Sequence, residues 1–181
     1  VKAEGVKVLD TWRTLGMRGT GSHSVLLEGV FIPEQAVGLR RTRGEFHPVW
    51  GVVLRVAMPL IMSVYVGVAD AAAHRAVAHA LKAQLMDDST ALGLGAVENH
   101  RTTAELALEG MIALANNFDF APEIQGVNAI LVRKSIAARA AQQTVEAAME
   151  VCGGAGFYRA FELERLLRDV YGAQYHPLPE A

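Results

Sequence analysis

The chain has a single cysteine, Cys152, in 181 residues, and aromatic residues make up only 7% of it. One cysteine closes no internal disulfide, and a thiolate zinc site needs several such ligands. Disulfide scaffolds and zinc modules are thereby excluded, and a reducing cytoplasm is the expected compartment. Charge of one sign is equally scarce: 17 Lys and Arg stand against 19 Asp and Glu, a formal −2, with no block of either sign. A nucleic-acid surface would need clustered cations to replace counterions, so no nucleic-acid partner is expected. The segment Val1 to Asp10 lacks the continuous apolar run of a secretory signal. The histidines form no metal pattern either; His74 and His79 are five apart, which separates them on a helix.

Long apolar runs are absent but for one. Val49 to Ala69 has Arg55 as its only charge, and its length would span a bilayer. Arg55 and Pro59 fall inside it, and the pattern continues unbroken into Asp70, His74 and Arg75. A buried central helix is therefore expected, and no membrane span.

Residues 1–40 read as the closing strands of an incomplete β domain. Ser24 to Ile32 is rich in branched and aromatic residues, Pro33 ends it, and Arg18-Gly19-Thr20-Gly21-Ser22 before it is turn chemistry. Two or three such strands make half a sheet, which cannot bury its inner face alone, so the other half is expected upstream.

Residues 45–181 read as a helical domain. A first helix is predicted from Pro48 to near Met86, over ~50 Å long, with a bend at Pro59. Its nearly all-round apolar first half predicts burial on most sides, and hence a homo-oligomer, a dimer or tetramer. A second helix, Gly95 to Asn116, aligns Val97, Ala104, Leu108, Met111 and Ala115, with Phe118 beyond it, on one stripe. A third begins at Pro122 with Glu123 near its positive end. Its stripe is Ile124, Val127, Leu131, Ala138, Ala141, Val145, Ala148 and Cys152. Gly153-Gly154 stops it, and a fourth is predicted from Phe157 to Val170. The expected fold is mainly α, an antiparallel four-helix bundle preceded by a partial β-barrel or sheet segment.

Two separated segments carry a family resemblance. Asp10-Thr11-Trp12-Arg13-Thr14-Leu15-Gly16-Met17-Arg18-Gly19-Thr20-Gly21-Ser22-His23, running on to Val30-Phe31-Ile32-Pro33, resembles the closing strands of the acyl-CoA dehydrogenase middle domain. Ala148-Met149-Glu150-Val151-Cys152-Gly153-Gly154-Ala155-Gly156-Phe157, followed by Leu163 to Val170, resembles the signature near the end of that family's C-terminal domain. The resemblance implies an N-terminal helical domain outside this chain, a tetramer built as a dimer of dimers, and FAD lying between subunits.

Several residues then become candidates. Glycines let a backbone approach a ligand, and a following helix start offers amide donors to a pyrophosphate. By resemblance, Gly153, Gly154 and Gly156 contact the ADP part of FAD; a plain glycine helix stop is the alternative. Glu150 stands where the family commonly has glutamine, adding a negative charge near phosphates. Arg18, Thr20 and Ser22 offer donors to flavin or acyl ligand, or serve their own turn. His176, in Tyr175-His176-Pro177, carries an imidazole that can donate or accept a hydrogen bond, and precedes a proline that disfavours helix. It stands seven residues after Asp169, where flavin monooxygenases of this fold often carry a histidine beside the flavin. A surface histidine in a tail is the alternative. Arg168 and Asp169 are adjacent and do not face each other on a helix, which predicts separate partners. Met58, Met62 and Tyr65 are cavity-lining or core, with core favoured by their helical spacing.

Acyl-CoA dehydrogenation needs a carboxylate to take the α proton while a hydride leaves the β carbon. At the two places the family uses, this chain has Pro177 and, in the first long helix, about Gly51. By resemblance, about Ala83 and Met86 stand in place of an arginine and a phenylalanine that help hold FAD. The expected function is an FAD-dependent oxidoreductase resembling the acyl-CoA dehydrogenases, oxidising the α,β bond of an acyl thioester, with acyl-CoA or another small molecule as substrate and the base unidentified. A flavin-dependent monooxygenase using His176, with Ser22 assisting, is the alternative. A non-catalytic scaffold subunit paired with a complete homologue is a third.

Overall fold

The computed structural model describes residues 4–85 and 87–178. Met86 therefore lies outside the described residues. The chain divides into two compact units at the His47–Pro48 junction.

The first unit holds two short strands, β1 (Val6–Leu9) and β2 (Ser24–Leu27), paired antiparallel with Val6 opposite Leu27 and Leu9 opposite Ser24. A Cβ at Gly5 would lie 2.3 Å from the Glu28 carbonyl oxygen, and Gly5 accepts the Glu28 N–H at 2.8 Å, so only glycine fits there. The segment between the strands is tied by His23, whose Nδ1 accepts the Thr11 and Trp12 N–H groups, each at 3.1 Å. β2 stops at Leu27 and does not run on to Ile32: Glu28 and Gly29 form a bend, and Gly29 takes φ +64, which no strand residue adopts. Val8, Val25, Leu27 and Phe31 are exposed within this unit. Two strands alone give them nothing to pack against.

The second unit is a four-helix antiparallel bundle: α1 (Val49–Lys82), α2 (Asp88–Ala115), α3 (Ile124–Cys152) and the short α4 (Leu163–Val170). Its direction is legible in side-chain contacts. Gly93, early in α2, faces Val151, late in α3, whereas Gly110 faces Arg133. Arg75 pairs with Glu162 and Tyr65 meets His176, so the last segment runs back along α1. The core is largely alanine, with Ala69, Ala72 and Ala76 of α1 against Ala104 of α2, Ala141 and Ala148 of α3 and Leu163 and Val170 of α4. Small side chains let the helix axes approach closely, and burial of the many methyl groups supplies the cohesion.

α1 is continuous through Pro59 and is long and apolar enough to cross a membrane. In the bundle it packs against α2, α3 and α4. Met58, Met62 and Tyr65 are buried in its inner face and belong to the core. Its other side leaves Leu60 and Val64 exposed.

Several helix boundaries differ from the sequence reading. α2 starts seven residues earlier, because Asp87 caps it by accepting the Thr90 N–H at 2.9 Å and the cap outweighs Gly93 and Gly95. α3 starts at Ile124, with Pro122 just outside. α4 begins at Leu163 and not Phe157: two 3₁₀ turns, Gly153–Phe157 and Arg159–Phe161, intervene, and Glu162 at φ +62 breaks any helix before it. Two stripe members are also misplaced. Phe118 is exposed because Asn116, Asn117 and Phe118 all have positive φ and turn the chain away. Ile124 is exposed on the first turn of α3.

Candidate functional site

His176 is the best-anchored of the sequence-predicted residues. After α4 the chain makes a 3₁₀ turn, Tyr171–Gln174, and the N–H groups of Tyr175 and His176 both donate to the Gly172 carbonyl at 3.1 Å. Lys134 of α3, only 2% exposed, donates to the carbonyls of Gln174 at 3.4 Å and Leu178 at 3.0 Å. The buried Tyr65 of α1 places its hydroxyl 3.4 Å from His176 Nδ1, with the two rings edge to face. Burial first, and then the negative charge of Asp169, pushes the Tyr65 hydroxyl pKa above its usual value, so the phenol stays protonated. His176 itself is exposed.

The glycine turn divides its work. Gly153 takes φ +51, and a Cβ at Gly153 or Gly154 would meet nothing within 4 Å, so both present open backbone. Gly156 is buried, packed on Met149 Sδ and Leu163. Because 3₁₀ turns separate this bend from α4, the amides available to an anion belong to the turn and not to the start of α4. That corrects the expectation of a helix dipole behind the site. An unobstructed backbone at Gly153 and Gly154 fits the approach of a phosphate-bearing group such as FAD. Glu150, exposed near the end of α3, opposes it by charge alone.

Arg18, Thr20 and Ser22 sit together in the first unit, exposed, and each bonds within the turn. Arg18 Nε donates to Thr14 O at 3.0 Å, Thr20 Oγ1 to Met17 O at 2.8 Å, and Ser22 Oγ to Thr20 Oγ1 at 3.3 Å. Arg168 pairs with Glu164 at 2.7 Å, while Asp169 faces Arg165 at 3.9 Å, so the two do have separate partners.

Gly51, near where the resemblance leads one to expect a base, is closed by packing. This glycine is buried, and a Cβ would lie 2.9 Å from the Pro122 carbonyl oxygen and 3.2 Å from two further Pro122 backbone atoms. A glutamate has no room there unless the backbone moves. Nearby Arg55, 5% exposed, fixes that approach: it donates to Ala121 O at 2.7 Å and Glu123 Oε1 at 3.0 Å and lies over the Phe120 ring. Its sequence signal was a lone cation in an apolar run, which demands a buried partner. Ala83 is exposed at the end of α1.

A shallow groove of about 360 Å³ runs between α1 and α2, floored by Ala73, Val77 and Leu81 and rimmed by His74, Glu98 and Arg101. No sequence-predicted site residue lines it. The Arg101 guanidinium is held charged by its hydrogen bond to Glu98, with Glu105 and Asp70 adding to the effect.

Comparison with known proteins follows the same lines. The chain is 28% identical over 187 residues to a putative acyl-CoA dehydrogenase, YdbM, of Bacillus subtilis (strain 168), covering 96% of this chain and 46% of that one. A 38-residue stretch, 21% of this chain and 10% of the relative, is 53% identical to a pigment production hydroxylase of Rhodococcus sp. (strain ATCC 21145). Among solved structures, XiaF from Streptomyces sp., in complex with FADH2 and glycerol, superposes with a TM-score of 0.82 at 25% identity, covering 99% of this chain and 51% of that one. The chain thus spans about half the length of its full-coverage relatives. The family profile described as acyl-CoA dehydrogenase, C-terminal domain, matches residues 60–179, two thirds of the sequence, and the chain belongs to that family.

Proposed function

We propose that this chain is part of an FAD-dependent monooxygenase on the acyl-CoA dehydrogenase fold, adding one oxygen atom of O2 to a small-molecule substrate. The carrying observation is the closed Gly51 site: a buried glycine against the Pro122 backbone stands at about the place where the family resemblance calls for a base, and Pro177 stands at the other. The local likeness to a Rhodococcus hydroxylase and the overall likeness to a protein solved with FADH2 support the same reading. The flavin, when bound, supplies two electrons to dioxygen, so that substrate, O2, two electrons and two protons yield the hydroxylated product and water.

The chain's own residues then have two tasks. Gly153 and Gly154 offer backbone to the phosphates of the cofactor. His176 donates a hydrogen bond to the reacting oxygen. A second copy of the chain covers the exposed Leu60 and Val64 face of α1, making a homo-oligomer.

The test is replacement of His176 by alanine in the full-length protein. Product formation should be abolished while flavin remains bound, and full activity would refute the reading. The likeness to the putative Bacillus acyl-CoA dehydrogenase along nearly the whole chain favours a second reading, α,β-oxidation of an acyl thioester. Anaerobic bleaching of the bound flavin by an acyl-CoA would establish that one instead. A full-length protein that purifies colourless and takes up no FAD would leave only a scaffold role.

A further inference from the structure

We infer that Tyr65 and Lys134 are positioning residues for His176: Tyr65 sets the imidazole with Nδ1 as acceptor and its proton on Nε2, and Lys134 pins the main chain on both sides of it. This rests on the reading of His176 as a donor in the proposed reaction.

The Tyr65 hydroxyl is buried in the bundle, where a phenol needs a hydrogen-bond partner. His176 Nδ1, 3.4 Å away, is its partner. That hydroxyl makes no other hydrogen bond among the described residues, so its proton is satisfied only by donation to Nδ1, and a donor facing Nδ1 selects the tautomer whose proton sits on Nε2. Tyr65 lies on α1, 111 residues from His176 in sequence, so the contact is made only by the folded bundle.

Lys134 acts on the backbone. An ammonium only 2% exposed must be hydrogen-bonded, and it holds the carbonyls of Gln174 and Leu178, two residues before and two after His176. The His176 N–H is held in turn by Gly172. The histidine is therefore fixed from three sides: its own turn, the α3 lysine and the α1 tyrosine. For a donor whose reach is set within about 0.5 Å, such support decides whether it meets its target.

The experiment uses the full-length protein labelled with ¹⁵N in the histidine rings, without turnover, so its outcome is separable from that of the activity test. His176 resonances are identified by their loss in His176→Asn. In the wild type the neutral ring should carry its proton on Nε2, with Nδ1 showing the shift of a hydrogen-bond acceptor. Tyr65→Phe keeps the ring but removes the hydroxyl. It should move the Nδ1 signal toward that of an unbonded imidazole, and lower kcat about tenfold with KM little changed, a fraction of what a proton donor contributes. Lys134→Met should produce the same Nδ1 shift, and Lys134→Arg should restore part of it. A wild-type proton on Nδ1, or His176 signals indifferent to Tyr65→Phe, would overturn the inference; the tyrosine variant decides alone if Lys134→Met fails to fold. Full activity of His176→Ala would overturn the monooxygenase reading without touching the tautomer result.

Discussion

Replacing Gly126 by alanine tests whether Arg55 anchors the bundle. Gly126 lies beneath the Arg55 guanidinium: an added Cβ would fall 2.0 Å from Nη2, 2.3 Å from Cζ and 2.6 Å from Nε. The end of an arginine normally swings aside cheaply. This one has 7% of its side chain exposed and no solvent to swing into. Displacing it breaks the bonds to Ala121 O and Glu123 and the stack on Phe120, leaving a buried cation without compensation. Losing the hydrogen bonds of a buried cation costs about 1.5–3 kcal/mol, since the Glu123 partner is itself 43% exposed, and glycine-to-alanine in a helix returns about 1 kcal/mol. The net expectation is about 0.5–2 kcal/mol of destabilisation in urea unfolding. Gly95→Ala is the control: it lies exposed in α2, its Cβ would meet nothing within 4 Å, and it should stabilise by up to about 1 kcal/mol. Gly126→Ala combined with Arg55→Met should be less destabilised than the two single changes summed, since both act on one contact. A Gly126→Ala protein as stable as wild type, tracking the control, would refute the reasoning.

Two further outcomes follow from perturbed ionisation. The Asp87 carboxyl sits below its ordinary pKa, chiefly through the Thr90 N–H and then the Thr90 hydroxyl. A depressed carboxylate stabilises above its unfolded pKa of about 3.9 and loses that contribution as pH falls through its folded value. Asp87→Ala should therefore unfold more easily than wild type at pH 7, with the difference closing below about pH 4 in acid titrations. The Cys152 thiol is pushed up by burial, so its thiolate is scarce. A thiol reagent at pH 8 should modify it only as fast as the bundle opens, and rapid modification of the native protein would contradict its place in the core.

Apolar period made the bundle legible. Val127, Ala138, Ala141, Val145, Ala148 and Cys152 line the inner face of α3 as their spacing predicts. What failed was local and competitive. Gly93 and Gly95 obscured an N-terminus that Asp87 and Thr90 secure, and the glycine bend hid the two 3₁₀ turns before Leu163. The site was legible in part. His176 could be singled out by resemblance and by the proline after it, but its two anchors lie on other helices, and no local pattern pairs a tyrosine in an apolar run with a histidine 111 residues on. Gly51 illustrates the opposite limit. By resemblance a base is expected at about that place and the sequence has glycine there, but only the packing of Pro122 shows that nothing larger fits.

The setting of His176 also bears on which reaction it can serve. Removing an α proton from an acyl thioester needs a bare nitrogen facing the substrate. With Nδ1 turned to Tyr65, the remaining nitrogen carries the proton, so the ring as set presents a donor and not a base. Reversing the tautomer would turn the Tyr65 oxygen into an acceptor and send its hydrogen back into the core. No other hydrogen bond of that hydroxyl is made among the described residues. An unmet buried O–H costs about 1–3 kcal/mol, which holds the base form to roughly a sixth or less of the neutral population. His176 therefore does not replace the carboxylate excluded at Gly51, whereas delivering a hydrogen bond to a reacting oxygen uses the ring in the form the bundle already selects.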